Sequence, residues 1–240
     1  MPLPKISTPT YELVLPSTDK TIQYRPFLVR EEKLLVLALE SEDTKQITTA
    51  IKTVIKACIL TKGIKVEELP TFDIEYLFLN IRGKSVGEEV EVNVLCPDDE
   101  KTYVPIKIYI DDIHCQKNDK HTKQIKLDDN VMMEMKYPSL QEFIKTNFDF
   151  KDGGSNLDQS FELIASCIDT IYQGEEAWAS KDCTKKELQE FLDQMNSSQF
   201  KEIESFFETM PKLSHEIDVK NPKTGVKSKV VLEGLSSFFG

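Results

Sequence analysis

Residues 69–110 read LPTFDIEYLFLNIRGKSVGEEVEVNVLCPDDEKTYVPIKIYI. The stretch changes its period half-way along. Pro70-Thr71 suits the start of a helix, and Phe72, Tyr76, Leu77, Leu79 and Ile81 follow at helical spacing. Beyond Gly83 the pattern becomes strict alternation. Val90, Val92 and Val94 are separated by Glu91 and Asn93, and Val104, Ile106, Ile108 and Ile110 share the other arm. Residues 96–101 between the arms are a turn. Helix and antiparallel strand therefore meet in one segment, which marks an α+β chain.

Working towards the start, residues 11–15 and 21–24 flank Pro16-Ser17-Thr18-Asp19-Lys20 and predict a hairpin. Leu13 and Leu15 share a face with Ile22 and Tyr24 opposite, and Pro26 ends the second strand. Glu31 and Glu32 suit the positive end of a helix running to about residue 40. A second helix over 43–60 carries the stripe Ile47, Ile51, Val54, Ile55, Cys58 and Ile59, with Lys62-Gly63 as its stop. Residues 66–69 suit a short turn of helix.

Towards the other end, 124–127 and 131–135 predict another strand pair turned by Asp128-Asp129-Asn130. Residues 140–147 read as a short helix and Asp152-Gly153-Gly154-Ser155 as a linker. Residues 157–172 read as one amphipathic helix, with Phe161, Ile164, Ala165, Ile168 and Ile171 inward. Thr184 with Glu187 is a capping-box pattern, and a last helix from Ser197 or Ser198 ends before Pro211. Residues 215–219 and 227–232 form a final hairpin. The resulting expectation is an α+β fold: a mainly helical body, a small antiparallel β insertion and a C-terminal β-hairpin. Its segments are 1–87 and 137–212 for the body, 88–136 for the insertion and 213–240 for the hairpin and apolar tail.

The 240 residues can bury a sizeable core. A net charge of −11 argues against a surface built to neutralise nucleic-acid phosphates. The acidity serves solubility, or matches a basic partner. No stretch reaches the roughly 18 apolar residues of a membrane span, since Lys52 and Lys56 interrupt the longest candidate, 50–60. The opening MPLPKISTPT lacks the charged start and apolar run of a secretory signal. Five widely spaced cysteines do not make a disulfide framework, and a reducing cytoplasm is the simplest setting.

Residue types that could carry chemistry are scattered. Cys96-Pro97-Asp98-Asp99 has no second close cysteine, and His114, Cys115 and His121 match no zinc-ligand spacing. His114 and Cys115, as strand neighbours, point to opposite faces. Gly83-Lys84-Ser85 ends like a phosphate loop but lacks the upstream glycine and the strand-before-helix order. We therefore expect no catalytic residue, no metal and no cofactor. Two apolar features suit binding or packing. The tail Leu235-Ser236-Ser237-Phe238-Phe239-Gly240 either plugs its own core or anchors in a partner groove through Leu235, Phe238 and Phe239. Phe206, Phe207 and Met210 on the last helix read as core.

Three collinear segments carry a family resemblance. They are residues 3–39, LPKISTPTYELVLPSTDKTIQYRPFLVREEKLLVLAL; residues 69–92, LPTFDIEYLFLNIRGKSVGEEVEV; and residues 221–240, NPKTGVKSKVVLEGLSSFFG. Their order and content resemble the baseplate hub assembly proteins of T4-like bacteriophages. The resemblance implies a non-enzymatic, late-expressed tail morphogenesis protein. Its partners would be baseplate hub proteins; docking of the apolar tail on a second copy of this chain is a separate expectation from the tail itself. It would act in the host cell cytoplasm during phage assembly. Two other readings stand beside it: a permanent structural subunit of the virion baseplate or hub, and a small metal- or thiol-dependent enzyme.

Overall fold

The structure, a computed structural model, describes residues 6–140 and 156–238. In chain order the first elements are β1 (Tyr11–Val14), β2 (Thr21–Tyr24), α1 (Val29–Glu40), α2 (Thr44–Cys58), α3 (Thr71–Val86), β3 (Glu89–Leu95), β4 (Tyr103–Tyr109) and β5 (His114–Gln116). They are followed by β6 (Gln124–Lys126), β7 (Val131–Met135), α4 (Asn156–Ser166), β8 (Ile168–Gln173) and β9 (Glu176–Ala179). The last are α5 (Lys185–Asp193), α6 (Ser197–Thr209), β10 (Lys212–Lys220) and β11 (Lys227–Glu233). The chain divides into two compact units. One holds residues 1–66, 72–116 and 211–240, and the other holds 67–71 and 117–210.

In the first unit, β1 and β2 form the expected hairpin, with Leu13 opposite Ile22. Asp43 caps α2 by accepting from the Lys45 N–H at 2.9 Å. The free edge of β2 is tied to the end of α2, where the Leu60 N–H donates to the Gln23 carbonyl at 2.8 Å and the Arg25 N–H to Cys58 at 3.0 Å. The helix α3 is buried on more than one side, through Phe72, Ile74, Leu77, Phe78, Leu79 and Ile81. Its Asp73 is 0 % exposed and accepts from the Ser17 N–H at 3.0 Å and from the Ser17 hydroxyl. Gly83 lets Ile110 approach, because a Cβ there would meet the Ile110 Cδ1 at 3.0 Å. The strands β3 and β4 pair with Val92 opposite Ile106 and bury alternate residues. The strand β10 lies between β11 and β5, with Leu213 opposite Cys115. Val90, Val92, Val94, Ile108, Ile113 and Ile217 line the core that these strands share with Leu79.

The second unit is a four-stranded antiparallel sheet in the order β6-β7-β8-β9 with the helices α4, α5 and α6. Met133, Met135, Ile168, Leu188, Leu192, Ile203 and Phe206 fill its core. Thr184 and Glu187 form the capping box ahead of α5, and Asn196 caps α6.

The expectation of a mainly helical body with one β insertion is corrected. The structure is 39% helical and 29% strand, with four sheets of two to four strands and six helices among the described residues. Residues 88–136 do not make one sheet. β3 and β4 pair only with each other, β5 joins β10, and β6 and β7 join β8 and β9. The helix expected over 157–172 stops at Ser166 and the chain continues as β8. The Ser166 hydroxyl closes the last turn on the Leu163 carbonyl at 2.7 Å. β-Branched Ile168, Thr170 and Ile171 then pair with β7. The C-terminal hairpin is present but belongs to a three-stranded sheet. The short helix expected over 140–147 and the linker at 152–155 lie outside the described residues, apart from Leu140, whose N–H donates to the Leu69 carbonyl at 3.1 Å.

Candidate partner-binding site

Several of the residues whose types could carry chemistry act as structural locks. At the β3–β4 turn, Asp99 accepts from the Thr102 hydroxyl at 2.6 Å and from the N–H groups of Thr102 and Lys101. Those bonds hold its carboxyl well below the usual carboxylate range. Asp98 reaches across to the β10–β11 turn. It accepts from Asn221 Nδ2 at 3.0 Å and from the Thr224 hydroxyl, which likewise lowers its pKa. Asn221 is buried and its side-chain Oδ1 accepts the Lys223 N–H at 2.8 Å. The two turns are thus pinned to each other. Cys96 beside them is buried, and burial pushes its thiol up.

His114 is exposed and Cys115 partly buried on successive positions of β5. The ring Nδ1–H of His215 donates to the Asp112 carbonyl at 3.1 Å. Among the described residues no group of three His, Cys, Asp or Glu side chains is placed to hold a metal ion. Gly83-Lys84-Ser85 is part of α3. Gly83 packs on Ile110, Lys84 pairs with Glu88 at 2.5 Å, and the Ser85 hydroxyl accepts the Phe27 N–H at 2.9 Å.

A buried ionic knot at the start of α1 was not visible in the sequence pattern. Glu31 accepts from Arg25 Nη2 at 3.1 Å, Arg30 Nε at 2.7 Å and the Leu28 N–H at 2.6 Å. Burial alone would raise its pKa, but these donors outweigh it and hold the carboxyl at about 2. The Arg25 guanidinium also donates to the Pro26 carbonyl at 2.8 Å. Cys58 lies 3.8 Å from that guanidinium, yet burial pushes its thiol up to about 11. An arginine six residues before a first-turn glutamate was the only available signal.

The apolar tail divides. Gly234 takes a positive φ of 70°, ends β11, and donates its N–H to the Leu213 carbonyl at 2.9 Å. Leu235 opens a short 3-10 turn, Leu235–Phe238. Phe238 is 0 % exposed and belongs to the core of the first unit. Its ring offers no surface to a partner in this conformation. Phe239 lies outside the described residues. Phe206 is likewise core in the second unit, stacked on Tyr137 at 5.8 Å between ring centres, with Phe207 edge-on at 5.2 Å.

Apolar surface is exposed instead on α1. Val29, Leu34, Val36, Leu37 and Leu39 all stand in solvent, Leu37 at 65 % and Leu39 at 60 %, while only Glu31 and Ala38 of this helix are buried. The run Leu34-Leu35-Val36-Leu37-Ala38-Leu39 could have revealed this, because it is apolar in consecutive positions and makes no single stripe. A helix apolar on most sides is normally a covered one.

No curated protein and no solved structure matches the chain. A family model described as T4 bacteriophage base plate protein matches residues 8–240, which takes in both units, the exposed helix and the pinned turns. With nearly its whole length matched, the chain belongs to the T4 bacteriophage base plate protein family.

Proposed function

We propose that this baseplate-family protein is a non-enzymatic morphogenesis factor that binds components of the central hub and promotes their assembly. The observation that carries the reading is the family match over residues 8–240. It takes in the second and third of the segments whose order resembles hub assembly proteins, and the first from residue 8 onward. The locked turns and buried thiols support a binding scaffold, since their polar groups are spent on internal hydrogen bonds. The net charge of −11 favours protein partners over nucleic acid. No helix among the described residues is long and apolar enough to cross a membrane. The protein would act in the host cytoplasm while tails are being built.

Two measurements test this. Affinity capture of the tagged chain from infected cells during late expression should bring down hub proteins. Mass spectrometry of purified virions should find the chain absent or far below hub stoichiometry. A fixed copy number in virions would instead make it a permanent structural subunit. Capture without any hub protein would overturn the hub reading.

A further inference from the structure

The face of α1 turned away from the protein has a definite composition. Val29, Lys33, Val36, Leu37 and Glu40 follow at intervals of four, seven, eight and eleven residues from Val29, so they share one side of the helix. Glu31 and Ala38, the buried residues of α1, lie on the opposite side. Leu34 and Leu37 continue the surface into a groove whose other wall is Gln46, Thr49 and Ala50 of α2. Monomers rarely leave more than roughly a few hundred Å² of contiguous apolar surface in water. Among the described residues no element covers the exposed aliphatic side chains of α1.

We propose that this face is where two copies of the chain associate, α1 lying antiparallel against α1 of the second copy. The argument is self-complementarity. A two-fold axis between Val36 and Leu37 sets Val36 against Leu37 of the second copy, and Lys33 against Glu40. The same operation repeats both contacts, as an isologous interface requires. Parallel pairing would set Lys33 on Lys33 and Glu40 on Glu40, which like charges disfavour. Lys33 and Glu40 are exposed and have no ion-pair partner among the described residues, so both are available. A helix of 12 residues contributes less than the roughly 800 Å² per partner of a standard stable interface. The association is therefore concentration-dependent and reversible. It goes beyond the hub-binding reading and does not depend on it.

The test is sedimentation equilibrium of the full chain over a wide concentration range, with circular dichroism melting as the control for folding. A reversible monomer–dimer equilibrium is expected, and Leu37→Asp should leave a folded monomer. Lys33→Glu alone and Glu40→Lys alone should each weaken the dimer by roughly tenfold or more, because each change acts twice in a two-fold contact. The double reversal Lys33→Glu/Glu40→Lys should restore it. This series remains decisive if Leu37→Asp perturbs folding. A chain that stays monomeric at the highest concentration overturns the proposal, whether α1 is then covered by another segment of the chain or by a different protein. So does a dimer indifferent to Leu37→Asp, or one that the double reversal fails to restore. A folded Leu37→Asp variant that still dimerises but no longer captures hub proteins would assign the face to those proteins instead.

Discussion

Glu31 shows how one carboxylate can fix a junction. It sits in the first turn of α1, where negative charge is favoured, and gathers Arg25 from the end of the first hairpin as well as Arg30. Its folded pKa of about 2 lies below the ordinary 4.5. The folded state therefore gains stability from Glu31 above pH about 4.5, and loses it as the pH falls towards 2. The gain is on the order of 3 kcal/mol at neutral pH. Glu31→Gln should remove much of it and flatten the acid limb of a stability–pH profile in that window, measured by urea unfolding. Phe238 tests a second residue. With its ring fully buried, Phe238→Ala should cost about 3 kcal/mol or more in the same unfolding measurement. Tyr76→Ala, half-buried against the same core, should cost less. Two readings of Phe238 were open in the sequence, since an apolar tail looks the same whether it plugs a core or waits for a groove. Burial in the core with Leu79 and Leu213 favours the first.

Most elements close in sequence were legible at the scale of the element. The hairpin at 11–24, the helix after Pro70, the alternating pair around residues 96–101 and the Thr184 capping box all follow from local chemistry. The failures share a cause. The strand β8 continues the apolar spacing of α4, and its pairing with β7 on one side and β9 on the other makes it a strand. The strand β9 carries Glu176 and Trp178 with little apolar alternation and is held by the turn at Gly174, whose φ is 59°. Long-range pairing decided both, and no window of one sequence contains it. The lock between the two turns is of the same kind. Asp98→Ala should free both, while Asn221→Ala should loosen them less, because the Thr224 hydroxyl still reaches Asp98. Either change should lower the melting temperature and speed amide hydrogen exchange at Lys223 and Thr224. The double variant should cost less than the sum of the two single ones, because the two residues share a contact.

For the whole molecule, the mix of two units with separate cores replaces the picture of helices carrying one inserted sheet. The exposed α1 was hidden from sequence reading for a physical reason. Its leucines qualify equally for a core, and only the placement of its neighbours leaves them in water. Stability should come from these cores and not from a bound ion. Dialysis against a chelator should therefore leave the melting temperature unchanged, and zinc near one per chain would overturn the metal-free reading.

The pairing of β10 with β5 joins Leu213 to Cys115 across the contiguous stretch 117–210, most of which builds the other unit. On a ribosome, β5 emerges long before its partner exists. Its strand edge must wait, while the helices and sheet of residues 117–210 can form from nearer neighbours. The first unit can complete its sheet only after that intervening stretch has been made. This gives the protein a built-in order of maturation, with the sheet that buries Phe238 formed late.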